Sequence, residues 1–207
     1  SLTAAVGVAR NAEFETIDLG ELEGEAREVA TTHARLVRDA RGKRRRVAIV
    51  SGGELTVTLR GRGRGGPNQE YVLALASGLR DLEGVSALAA DTDGADGGGG
   101  DASDPAGAFF DRATLRQMRR LGLDPDAYLT ENDATGFFEQ TGDLLTTGPT
   151  LTNVNDIRVI LVEKRTARRK PSSRTAGHAF DSLDTFKTAA AQMGVGQTPA
   201  RPARNNL

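Results

Sequence analysis

RVAIVSGGELTVTLRGRGRGGPNQEYVLALASGLRDLEGVSALAADTDGADG, residues 46–97, is the stretch that decides the fold. From Arg46 to Val50 the chain reads as a short apolar strand of the kind covered on both faces. Ser51-Gly52-Gly53-Glu54 follows at once, and then Leu55, Val57 and Leu59 alternate with Thr56, Thr58 and Arg60 in the period of a half-buried strand. A loop from Gly61 to Pro67 leads to Asn68, which reads as a helix N-cap. Val72, Leu75, Ala76 and Leu79 form the apolar stripe behind it, and Val85 to Ala90 is a second apolar strand. A loop rich in glycine and aspartate then runs from Asp91 to about Gly107. Strand, loop, helix and strand in this order are the repeating unit of an α/β domain.

The pattern extends both ways. Residues 1–13 read as helix and Phe14 to Leu19 as a short strand. Gly24 to Ala40 reads as a helix with Ala26, Val29, Ala30, His33, Leu36 and Val37 on one face. Downstream, helices are expected over Asp111 to Leu121 and around Pro125 to Thr130, and Asp133 caps a further turn. Strands are expected over Asp143 to Thr147 and Ile157 to Val162. The expectation is an α/β layered domain over residues 1–162, with a mixed, mostly parallel sheet flanked by helices. Crossover helices imply parallel neighbours, and the short Ser51–Glu54 link implies one antiparallel pair. From residue 163 to 207 nine Lys and Arg face three acids, so the formal net charge of −1 divides into +6 there and −7 before it. That segment offers little apolar surface to offset its ordering entropy and is expected to be a basic, flexible tail.

Composition closes several routes. Hydrophobic residues make up 38% and aromatic residues 4%, while Gly numbers 25, which suits tight loops near a ligand. The near-zero net charge gives no general drive toward nucleic acid. The chain has no cysteine, which removes disulfides, thiolate zinc sites and cysteine nucleophiles, and fits a cytoplasmic location. No run reaches the roughly 18 apolar residues of a membrane span, and no signal peptide is visible. The chain opens on Ser1, which we read as a fragment of a longer protein.

Three loops have chemical potential. Paired glycines in Ser51-Gly52-Gly53-Glu54 let backbone N–H groups face an anion, or simply make a tight turn. Arg60 to Glu70 brings three arginines and four glycines to a helix start, a construction suited to phosphate or carboxylate; an exposed basic loop is the plainer alternative. It is no Walker A loop, since the Gly-Lys-Ser/Thr ending is missing. Asp91-Thr92-Asp93-Gly94-Ala95-Asp96 leaves the carboxyl end of a strand, where ligands sit in open α/β sheets. With Asp101 and Asp104 it suits Mg²⁺ held by one or two carboxylates and substrate phosphates, or a solvated acidic loop. His33, on an apolar helix face, reads as a core histidine.

Taken in order, these segments resemble the MOFRL domain of type-2 glycerate kinases. The likeness rests on LEGEAREVA (22–30), SGGE (51–54), TVTLR (56–60), GRGRGGPNQE (61–70), ADTDGADG (90–97), NDATGFF (132–138) and GDLLTTGPTLTNVNDIRVILV (142–162). The resemblance implies ATP-dependent phosphorylation of D-glycerate at its 2-hydroxyl, giving 2-phosphoglycerate, with Mg²⁺. It also implies that a larger amino-terminal kinase domain supplies the other side of the active site. Arg62, Arg64 and Asp93 become the expected catalytic residues, and Asp93 with Asp96 the expected Mg²⁺ ligands. Ser51, Gly52, Gly53, Glu54, Gly65, Gly66, Asn68, Gln69, Glu70, Thr92, Gly94, Thr147, Gly148 and Asn153 become the expected substrate- and nucleotide-binding set. Many family members have arginine where this chain has Pro67, so that role would shift to Arg62 or Arg64. Expected partners are D-glycerate, ATP, the amino-terminal domain and, as one option, a second copy in a homodimer; neither nucleic acid nor membrane is expected. Some relatives have the older label hydroxypyruvate reductase. NAD(P)H-dependent reduction lacks support here, because no Gly-x-Gly-x-x-Gly fingerprint with a following ribose-binding acid is present.

Overall fold

The computed structural model describes residues 2–43, 45–97, 101 and 103–164. Its elements run α1 (Leu2–Asn11), β1 (Glu15–Glu21), β2 (Gly24–Glu25), α2 (Ala26–Gly42), β3 (Val47–Gly52), β4 (Leu55–Thr56), α3 (Pro67–Gly78) and β5 (Val85–Asp91). They continue with β6 (Gly107–Phe110), α4 (Arg112–Leu121), α5 (Pro125–Thr130), α6 (Ala134–Thr141), β7 (Leu144–Leu145) and β8 (Asp156–Val162). Six strands form one mixed sheet in the order β1-β3-β8-β5-β6-β7, as an α/β domain requires.

The apolar alternation assigns each strand side chain to a face. Val47, Ile49, Ala87, Ala89, Ile160 and Val162 pack with α2 through α6, while Ala48, Val50, Leu88, Ala90, Val159 and Leu161 pack with α1. The short helices are well capped. Asp111 accepts from Ala113 N and Thr114 N in a capping box, and Asp133 accepts from Gly136 N; each such cap contributes about 1 kcal/mol.

The strand directions need a correction. β1 and β3 pair in parallel, but the other four pairings of the six-stranded sheet are antiparallel. Crossover helices do point β3 and β5 the same way, yet β8 inserts between them and pairs with both. A crossover fixes direction, not adjacency, so the mostly parallel sheet was the wrong inference from a correct rule. Nor do the segments flanking Ser51–Glu54 pair with each other. β4 pairs in parallel with β2, and Leu59 lies exposed beyond it. β6 lies between the end of the expected long loop and the expected helix at Asp111, and was missed. Among the described residues no helix is long and apolar enough to cross a membrane. The expected tail lies, from residue 165 on, outside the described residues.

Candidate active site

The arginine–glycine loop spends its backbone on its own chain. Arg60 N and Gly61 N donate to Asn132 Oδ1 at 2.7 and 2.9 Å, Gly63 N to the Glu131 carbonyl at 2.8 Å, and Arg64 N to Asp133 Oδ1 at 3.1 Å. A Cβ at Gly61 would lie 2.3 Å from the Glu131 backbone, and one at Gly63 would lie 2.3 Å from Asp133. These glycines therefore serve close packing onto the turn between α5 and α6. Glu70 belongs to the same anchor: it is buried, pairs with Arg27 at 2.6 Å and accepts from Asn132 Nδ2. Arg64 points outward and pairs with Glu139 at 2.7 Å. Arg62 is exposed, with no hydrogen bond or ion pair among the described residues.

The positive end of α3 is also taken. Gly66 is the N-cap and Pro67 the first helical residue, so Asn68 lies two positions further in than the sequence implied. The Asp96 carboxylate accepts from Asn68 N and Gln69 N at 2.8 Å each, from Asn68 Nδ2 at 3.1 Å and from Gln69 Nε2 at 3.0 Å. Burial pushes the Asp96 carboxyl up to about 6, against the pull of those four donors. The anion at this helix start is thus the chain's own side chain. The backbone N–H groups of Asn68 and Gln69 are thus already engaged, as are both Asp96 oxygens.

Ser51, Gly52 and Gly53 close over Arg158, which is 1% exposed. Its Nη2 donates to the Gly52 and Gly53 carbonyls, its Nε to Ser51 Oγ at 3.3 Å and its Nη1 to Asp156 at 3.2 Å. Gly53 has φ +84°, and a Cβ there would lie 2.4 Å from the Leu22 carbonyl oxygen. Glu54 instead faces a separate hollow shared with Glu21, Glu23 and Asn155.

The Asp91–Gly97 loop meets the segment between β7 and β8. Thr150 N donates to the Asp93 carbonyl at 3.0 Å, Thr92 Oγ1 donates to the Asn155 carbonyl at 2.8 Å, and Val154 N donates to Thr92 Oγ1 at 2.9 Å. Gly94 has φ +104°, and a Cβ there would lie 2.2 Å from the Gly148 carbonyl oxygen. The joined loops border a cleft of about 430 Å³ lined by Asp93, Gly94, Asp101, Pro149, Leu151 and Asn153, among others. Asp93, Gly94, Thr147, Gly148 and Asn153 thus lie near one another. Burial, and then the nearby Asp93 and Asp156, pushes the Asp91 carboxyl up to about 6.

Asp93 Oδ1 accepts from Ala95 N at 2.9 Å, and the Asp93 carboxyl lies beside that of Asp91. No group of three or more His, Cys, Asp or Glu suited to a metal occurs among the described residues. Mg²⁺ characteristically takes only one or two carboxylates beside substrate phosphates, so Asp93 fits that use and Asp96 does not. His33 is a core residue: its Nδ1 lies 2.7 Å from Tyr71 Oη, and burial, then Arg158, lowers it to about 4. Sequence reasoning missed Arg27, Asn132, Asp156 and Arg158. A lone arginine inside the apolar run of β8 was the available signal for the last.

Residues 47–156 match the MOFRL family, which is more than half of the chain. A protein of Agrobacterium vitis, provisionally named hydroxypyruvate reductase, is 46% identical over 169 residues, covering 78% of this chain and 38% of that protein. The D-glycerate 2-kinase of Thermotoga maritima is 39% identical over 156 residues, covering 73% of this chain and 36% of that protein. A crystal structure of glycerate kinase from the same organism superposes with a TM-score of 0.68 at 37% identity, covering 74% of this chain and 37% of that one. The chain therefore spans well under half the length of these relatives.

Proposed function

The chain belongs to the MOFRL family, and from that premise we propose that it forms one wall of the active site of a glycerate 2-kinase. The reaction is transfer of the γ-phosphoryl group of ATP to the 2-hydroxyl of D-glycerate, giving 2-phosphoglycerate and ADP in the cytoplasm. The observation that supports it most is the cleft between the Asp91–Gly97 loop and the β7–β8 segment, with Asp93 on its rim. Phosphoryl transfer asks a protein mainly to position reactants and offset charge. Asp93 would hold Mg²⁺, which supplies charge neutralisation to the phosphates. Gly94 lets its loop close onto the Gly148 carbonyl, and Asn153 would offer an amide to the substrate hydroxyls. Arg62, without a partner among the described residues, would meet an anionic group, whereas Arg64 is engaged by Glu139. The amino-terminal domain that the family resemblance implies would bring the opposite wall.

The test is ADP release with D-glycerate and ATP by the intact protein and its Asp93→Asn variant. Turnover should fall by more than about tenfold, where each decade is about 1.4 kcal/mol of barrier. Unchanged turnover removes Asp93 from the site. The reductase name of one relative gains no support from these residues, and NADH oxidation with hydroxypyruvate is expected to be absent.

A further inference from the structure

Arg158 stands on β8 between β3 and β5, in the apolar layer under α3, with its guanidinium 5.9 Å from the Tyr71 ring centroid. A buried guanidinium loses solvation and is tolerated only where its donors are satisfied. Here they reach two loops. On one side Nη2 and Nε hold the Gly52 and Gly53 carbonyls and Ser51 Oγ. The Gly52 carbonyl also accepts from Leu22 N at 2.9 Å. On the other side Nη1 holds Asp156 Oδ2, while Asp156 Oδ1 accepts from Asn68 Nδ2 at 2.8 Å. The same Asn68 nitrogen donates to Asp96 Oδ1. Asn68 Oδ1 is buried without a partner, so two acids alone set the orientation of this amide. Asp96 in turn belongs to the loop that presents Asp93 to the cleft.

We propose that Arg158 is a positioning residue that couples the Ser51–Glu54 loop to the Asp91–Gly97 loop through Asp156 and Asn68, keeping both in one relative placement. Its effect on turnover rests on the glycerate-kinase reading; the coupling does not. The fork of the guanidinium matters, because lysine is a point donor that cannot span Asp156 and both carbonyls. Coupling of this kind is reciprocal, so it is readable from either end.

Amide hydrogen exchange in the intact protein tests it from both ends. In Arg158→Lys the Asn68 and Gln69 amides, which are bonded to Asp96, should exchange about tenfold faster; in Asn68→Ala the Leu22 amide should do the same. Ile160 and Leu161 in β8 should stay within about twofold in both variants. ADP release per folded molecule should fall about tenfold in each. If Arg158→Lys does not fold, Asn68→Ala decides alone. Faster exchange confined to the mutated end, or spread equally through β8, overturns the coupling. Coupled loosening with unchanged ADP release overturns the positioning role. A wild-type protein releasing no ADP would sink the kinase reading, and the exchange pattern would still judge the coupling.

Discussion

The Gly61–Glu70 loop and the Asp91–Gly97 loop look alike in composition, each dense in glycine and in one sign of charge. They do different work. In the first, three backbone N–H groups and that of the preceding Arg60 are bonded to residues 131–133, and the helix start behind it is filled by Asp96. In the second, Asp93 takes a single backbone donor, lies beside Asp91 and lines a cleft. Glycine marks close approach of something to the backbone, and that something is as readily the chain itself as a ligand. Counting which donors and acceptors are already used separates the two cases.

The largest expected effect would break the comparison on its structural side. A Cβ at Gly66 would lie 1.9 Å from the Asp96 carbonyl oxygen, so Gly66→Ala should cost about 4 kcal/mol or more in urea unfolding. A substitution tolerated there would return the loop to a ligand-facing role. The next effect concerns the buried layer beneath both loops. His33 is lowered to about 4 in the folded chain, while an unfolded histidine titrates near 6.5. Between those values the unfolded chain binds more protons, so stability falls as pH falls through that window. Asp91 and Asp96, raised to about 6, act with the opposite sign and lose stability as pH rises through that value. The His33 contribution is isolated by His33→Gln: the stability gap between variant and wild type should shift by about 3 kcal/mol in favour of the variant from pH 7 to pH 4. A gap independent of pH would contradict a neutral buried histidine. The smallest effect sits on the outer face of the arginine loop. The Arg64–Glu139 pair is mostly exposed, so a double-mutant cycle should give a coupling within about 0.5 kcal/mol of zero.

What the sequence made legible was local. The apolar runs of β3, β5 and β8 and the stripe of α3 are periodic, and the caps at Asp111 and Asp133 are chemical signals carried by single residues. Pairing was hidden because it is set across the chain: β8 comes last in sequence and enters the middle of the sheet. β6 is four residues long beside an acidic loop, too short for a period. The Asp93 rim was legible, since a loop at the carboxyl end of β5 is where such sheets bind ligands. The fate of Asp96 and Glu70 was not. Whether a carboxylate is spent on a helix start or an arginine depends on Asn68, Gln69, Arg27 and Asn132 meeting in space.

The central claim is that two aspartates three residues apart divide the labour, Asp96 holding the fold and Asp93 facing the ligand. Thermal unfolding of Asp96→Asn beside Asp93→Asn tests it most directly. An amide at position 96 would set an N–H₂ group against the donors of Asn68 and Gln69, so its midpoint should fall by about 6 °C or more, while that of Asp93→Asn should stay within about 2 °C of wild type. Equal midpoints, or a larger fall for Asp93→Asn, would contradict the account.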